Sequence, residues 1–147
     1  MSSINSLIRK LKLLPNNLLI FNPLYRELLD CYHGTDYIKL CQKIEKENIE
    51  SDKNINRYIL CDNSYINNIN WSLSISIIKP NHKIHQLDQS HIKLLNGKLN
   101  CESNSLNFKL IKGSITIPKT HSIENKSNED LIYLSIHNYY KFDTPLL

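Results

Sequence analysis

A chain of 147 residues with 41% hydrophobic and 22% charged residues is long enough to bury a core as one domain. Only 3 glycines and 5 prolines are present, which argues against extended disorder. The net charge of +4 sits on a chain whose lysines are scattered, with no basic run interleaved with aromatics, so no nucleic-acid partner is expected.

The opening Met1–Asn5 lacks an apolar signal core, and no run of about 18 apolar residues spans a bilayer. The expectation is a cytoplasmic protein without a membrane partner. Cys31, Cys41, Cys61 and Cys101 form no C-x-x-C pair, so they read as reduced thiols and not as zinc ligands.

Ile4, Leu7, Ile8, Leu11 and Leu14 recur at helical spacing until Pro15. Asn22-Pro23 opens a second helix through Leu28 and Leu29. Thr35 or Asp36 is placed to cap a third helix carrying Ile38, Leu40, Cys41 and Ile44. Lys43 to Asn56 is polar, and the period then changes to two. Tyr58–Cys61 is β-prone, and Asn70–Ile78 sets Trp71, Leu73, Ile75 and Ile77 on one face. Ser90–Leu95 leads into Asn96-Gly97, a strong hairpin signal. Leu106–Ile111, Ser114–Pro118 and Asp130–Tyr139 are further strands. The domain is therefore expected to be mostly β with N-terminal helices. Residues 1–50 form a helical segment packed on a small β-barrel of residues 57–147.

Two stretches carry candidate chemistry. Five of the 6 histidines fall in the β region: His82, His85, His91, His121 and His137. Converging neutral imidazoles hold transition metals, although any one of them also reads as a surface or core histidine. Ser135, His137 and Tyr139 are spaced by two, so a hydroxyl, an imidazole and a phenol share one strand face. Such a face meets solvent or lines a pocket.

Gly113, Pro118, His121 and Asn125 resemble the second motif of the cupin superfamily, and the stretch from His82 to Gly97 resembles the first. Ser135-Ile-His137-Asn-Tyr139 followed by Phe142-Asp143-Thr144 is similar to cysteine dioxygenase within that superfamily. The resemblance implies a small jelly-roll-like cupin barrel and an Fe(II) site formed by His82, His85 and His121. A small thiol such as cysteine would there be oxidised with O₂ to the sulfinic acid. It implies that Arg57 pairs with the substrate carboxylate, a task suited to a guanidinium, although a surface arginine fits the sequence equally. Tyr139 would stand over the substrate, with His137 orienting the phenol and Ser135 the imidazole.

The first motif departs from the pattern, which has one residue between its two histidines. Anchored on Gly97, the favoured alignment takes His82 and His85 as ligands and needs a one-residue bulge to bring them to one face. The other alignment starts the pair at His85, puts Leu87 at the second position and leaves His91 as a substitute. The alternative to the dioxygenase is a degenerate cupin without a full metal site, acting as a binding or structural protein.

Overall fold

The first helix, α1 (Ile4–Lys12), starts where Ser3 Oγ accepts from the Ser6 amide at 3.1 Å, supplying an acceptor to one of the unpaired first-turn amides. The structure is a computed structural model and describes residues 3–15, 18–52, 54–62, 71–86, 90–103, 106–117 and 121–138. Helix α2 (Pro23–Asp30) is capped by Asn22 Oδ1, which accepts from the Leu24 amide at 3.0 Å, with Pro23 at the first position. Helix α3 (Tyr37–Lys43) has Asp36 at its N-cap without a side-chain cap bond. The Asp36 carboxylate instead accepts from the Ile4 amide at 2.9 Å and the Tyr32 hydroxyl at 2.7 Å. It thereby fastens the start of α1 to the α2–α3 turn.

Ten strands come after the helices: β1 (Ile49–Asp52), β2 (Ile55–Asp62), β3 (Trp71–Ile78), β4 (His82–Gln86) and β5 (Ser90–Asn96), then β6 (Leu99–Ser103), β7 (Leu106–Leu110), β8 (Ser114–Ile117), β9 (His121–Asn125) and β10 (Leu131–Asn138). They form a six-stranded sheet of order β1-β2-β3-β10-β5-β8 and a four-stranded sheet of order β4-β9-β6-β7, with every pairing antiparallel.

Three of the four strands of the smaller sheet, β4, β6 and β9, are not among the strands expected from spacing. Each has five residues with one or two apolar positions among polar ones, too little alternation to register as strands. The polar stretch before Asn56 likewise contains β1, a charged edge strand. The Asn96-Gly97 turn is not a hairpin. β5 belongs to the larger sheet and β6 to the smaller, so the turn passes the chain from one sheet to the other.

The apolar face of the larger sheet packs against the helices. Trp71, Leu73, Ile75, Leu134 and Ile136 form one buried cluster with Ile4, Leu7, Leu11, Tyr25 and Leu29. The alternate residues of the same strands look into the lumen between the sheets. One end of that lumen is filled by Ile55, Ile78, Ile84, Leu99, Ile123 and Leu131. The other end is polar.

Candidate functional site at the polar end of the lumen

Strand register builds the polar end. His137 on β10 is directly opposite Ser72 on β3 and Ser90 on β5, so the three side chains form a row across adjacent strands on one face. One layer deeper, Ser135 is opposite Ser74 and Ile92; in the next, Tyr133 is opposite Ser76 and Leu94, with Arg57 beside Ser76. Ser72, Ser74, Ser90, Ser135, His121 and His137 are all buried.

Hydrogen bonds tie these groups together. His137 Nε2 lies 3.1 Å from Ser72 Oγ, and its Nδ1 lies 3.3 Å from Ser135 Oγ. Ser135 Oγ is 3.3 Å from Ser74 Oγ. On the opposing sheet, His121 Nε2 is 3.3 Å from Ser90 Oγ. Burial holds the proton affinity of His137 well below that of an ordinary imidazole, and the nearby Arg57 and His121 lower it further. His137 is therefore neutral at physiological pH, with one ring nitrogen available as a donor and one as an acceptor. Arg57 is 1% exposed and lies 3.8 Å from Glu50, itself 8% exposed, across the β1–β2 pair. It is a buried cation at the lumen wall and not a surface arginine.

The expected metal set is not assembled. β4 pairs residue for residue with β9, from His82 opposite Asn125 to Gln86 opposite His121, with no bulge. Without the bulge, residues three apart on a strand face opposite ways. His85 pairs with Ser122 and is exposed on the outer face, away from His121. His82 does share the inner face, but it stands four residues along from the row of His121, about 13 Å at strand rise. Its Nδ1–H donates to the Pro80 carbonyl at 2.8 Å. His91 cannot substitute, because its ring is on the helix-facing side of β5. It makes contacts there with Thr116 Oγ1 at 2.8 Å and with the Ile20 carbonyl, and it stacks on Tyr25 with ring centroids 5.9 Å apart.

Among the described residues, no group of three His, Cys, Asp or Glu side chains is placed to hold a metal ion. The donors present do not fit a three-histidine iron site. Pro118, Tyr139, Phe142, Asp143 and Thr144 lie outside the described residues. Asn125 is at the apolar end, where its amide donates to the carbonyls of Ile78 (2.8 Å) and Glu129 (2.7 Å) and accepts from Ser127 N (3.0 Å) and Oγ (2.8 Å). It closes a turn.

Ser72, Ser74 and Ser90 are not among the residues expected from sequence to form a site. The available signal was the S-x-S-x-S pattern of Ser72, Ser74 and Ser76 between Trp71 and Ile77, which is a polar strand face in its own right.

Compared by sequence, the chain matches no family model and no curated protein. Its fold is found among solved structures. The Cupin_2 domain of an XRE family transcriptional regulator from Enterobacter cloacae aligns over 60% of this chain and 99% of its own, at 14% identity and a TM-score of 0.50. Ectoine synthase from P. lautus aligns over 67% of this chain and 74% of its own, at 13% identity and TM-score 0.55. Bacillus subtilis oxalate decarboxylase, a protein with Mn(II) centres, aligns over 63% of this chain and 28% of its own, at 18% identity and TM-score 0.50. The chain thus has the fold of a small cupin jelly-roll barrel preceded by three helices. These neighbours include enzymes and a regulator, so the likeness defines the fold and leaves the activity to be argued from the residues.

Proposed function

We propose that this barrel is a small-molecule-binding cupin domain that takes a compact, carboxylate-bearing ligand at the polar end of its lumen. The carrying observation is the row Ser72–His137–Ser90, faced by His121 from the other sheet. Burying hydroxyls and imidazoles costs desolvation that apolar residues of similar volume avoid. A barrel serving stability alone gains nothing from this row. His121 and His137 supply donor and acceptor positions, the serines fix the imidazole rings, and the Arg57 guanidinium, which shares the lumen wall with the Glu50 carboxylate 3.8 Å away, is the cation an anionic group would approach.

A second reading is an iron(II)-dependent thiol dioxygenase acting on cysteine or a similar thiol with O₂. The hydrogen-bonded Ser135–His137 pair and the buried Arg57 support it. It needs imidazoles beyond His121 near the row, which His82 and His85 do not supply. For either reading the setting we propose is cytoplasmic.

The test is to follow the ring signals of His121 and His137 in ¹⁵N-histidine NMR spectra while small carboxylic acids, cysteine included, are added. Selective saturable shifts at these two rings, unchanged in His85→Ala, are expected. Failure of every acid in the panel to move them would overturn the proposal. Stoichiometric Fe(II) uptake that His121→Ala abolishes, together with cysteine-dependent O₂ consumption, would replace it with the dioxygenase reading.

A further inference from the structure

The charge of the chain is less evenly spread than its lysine count suggests. There are 18 basic and 14 acidic residues in all, and the first acid is Glu27. Arg9, Lys10, Lys12 and Arg26 precede it, so the remaining 14 basic residues are matched by the 14 acids. The whole net charge of +4 therefore resides in residues 1–26, and all four cations are exposed.

The same segment carries exposed hydrophobic residues. Leu13 is 82% exposed, Leu19 49%, Phe21 57% and Leu24 42%, four of the six large hydrophobic side chains exposed among the described residues. All four fall in or beside the connection from α1 to α2, which is tightened by backbone bonds from Leu18 to Pro15 and from Asn22 to Leu19. Their neighbours Ile20 and Tyr25 are buried, and the Ile20 carbonyl is held by His91. The connection is thus fastened to β5 while its alternate side chains point outward.

We propose that this connection docks the protein on an anionic lipid surface, with Leu13, Leu19, Phe21 and Leu24 entering the interface and Arg9, Lys10, Lys12 and Arg26 meeting acidic headgroups. In sequence these apolar side chains are interspersed with cations, and the first acid, Glu27, comes only after Arg26, a combination that suits such a surface on both counts. A second copy of the chain does not match, because an isologous contact would set the four cations of one copy against the same four of the other. A nucleic-acid backbone would use the cations and leave the exposed leucines and Phe21 without a role. No described helix is long and apolar enough to cross a membrane, and the contact proposed is a peripheral one. It is independent of the lumen ligand, which lies on the other face of the larger sheet.

The experiment is co-sedimentation of the whole chain with phosphatidylcholine vesicles made with and without phosphatidylserine. Binding to the anionic vesicles alone, weakened by added salt, is expected. Lys10→Gln/Lys12→Gln should weaken it roughly 30-fold, at about 5-fold per cation. Phe21→Ser should weaken it without altering its salt dependence. These residues are exposed, so thermal melts should show every variant folded. Absence of binding to anionic vesicles by the parent chain would overturn the proposal. So would binding that Phe21→Ser leaves unchanged, or duplex DNA displacing the protein from vesicles equally in parent and Phe21→Ser.

Discussion

Replacing His91 with Leu should loosen the helices from the barrel, and the structure sets the size of the effect. The Ile20 carbonyl can only accept, so His91 Nε2 carries the proton, and Nδ1 takes the Thr116 hydroxyl at 2.8 Å. Leucine fills much of the ring volume but leaves the buried Ile20 carbonyl without this donor, at a cost of about 1–3 kcal/mol. Loss of the stack on Tyr25 adds about 0.5–1.5 kcal/mol. The total of about 1.5–4.5 kcal/mol corresponds to a fall in Tm of about 5–15 °C for a domain of this length. The effect also carries a pH signature. Burial, the main cause, lowers the proton affinity of His91, so between its folded pKa and about 6.5 the unfolded chain holds a proton that the native ring does not. Native stability from this group is then present above about pH 6.5 and lost as the pH falls, by up to about 1.4 kcal/mol per unit. His91→Leu lacks that loss, so the stability gap between parent and variant should narrow on acidification. Urea unfolding from neutral to mildly acidic pH measures it. A gap below about 0.5 kcal/mol at neutral pH, or one that stays constant, would refute the reasoning.

Asn125→Asp should destabilise at least as much as Asn125→Ala, by about 2–4 kcal/mol in urea melts, because both lose the donors to the Ile78 and Glu129 carbonyls and the carboxylate faces those oxygens. Two glycines offer a matched comparison. Gly97 (φ +84°) would place a Cβ 2.7 Å from the Asp130 carbonyl oxygen, whereas Gly113 (φ +86°) has nothing within 4 Å of that position. Gly113→Ala should cost only the left-handed backbone strain, about 1–2 kcal/mol. Gly97→Ala should cost clearly more by the same melts, since backbone must shift as well. Equal effects would mean that the turn relaxes freely.

Much of the architecture is legible from spacing. The apolar repeat from Ile4 to Leu11, ended by Pro15, and the Asn22-Pro23 cap give two helices, because capping and periodicity agree there. Alternation gives β3 and β10. The side of the sheet that an apolar face will meet is not encoded in a period of two. Trp71, Leu73, Ile75 and Ile136 pack on the helices, which leaves Ser72, Ser74, Ser135 and His137 to line the lumen. The alternation of β3 separates its two faces correctly but does not say that the apolar one meets the helices and the serine one the lumen. The short strands of the second sheet escape for another reason. A five-residue strand such as His121–Asn125 presents one buried isoleucine, and its placement is decided by partners distant in sequence.

The parity of histidine spacing was nevertheless readable, and it separates the candidate residues. Side chains share a strand face only at even separations unless a bulge intervenes. His82 and His85 are an odd distance apart, and β9 pairs with every residue from His82 to Gln86, leaving no room for the extra residue a bulge requires. One of the two must then face outward, and Ile84 in the buried core fixes which: the even-numbered positions look in, and His85 looks out. The same rule keeps Ser135 with His137, and register joins them to Ser72 and Ser90. The lumen thus keeps the elements that orient imidazoles and lacks the histidine spacing that would gather three of them. That combination is why we propose a ligand held by hydrogen bonds rather than by three imidazoles on a metal.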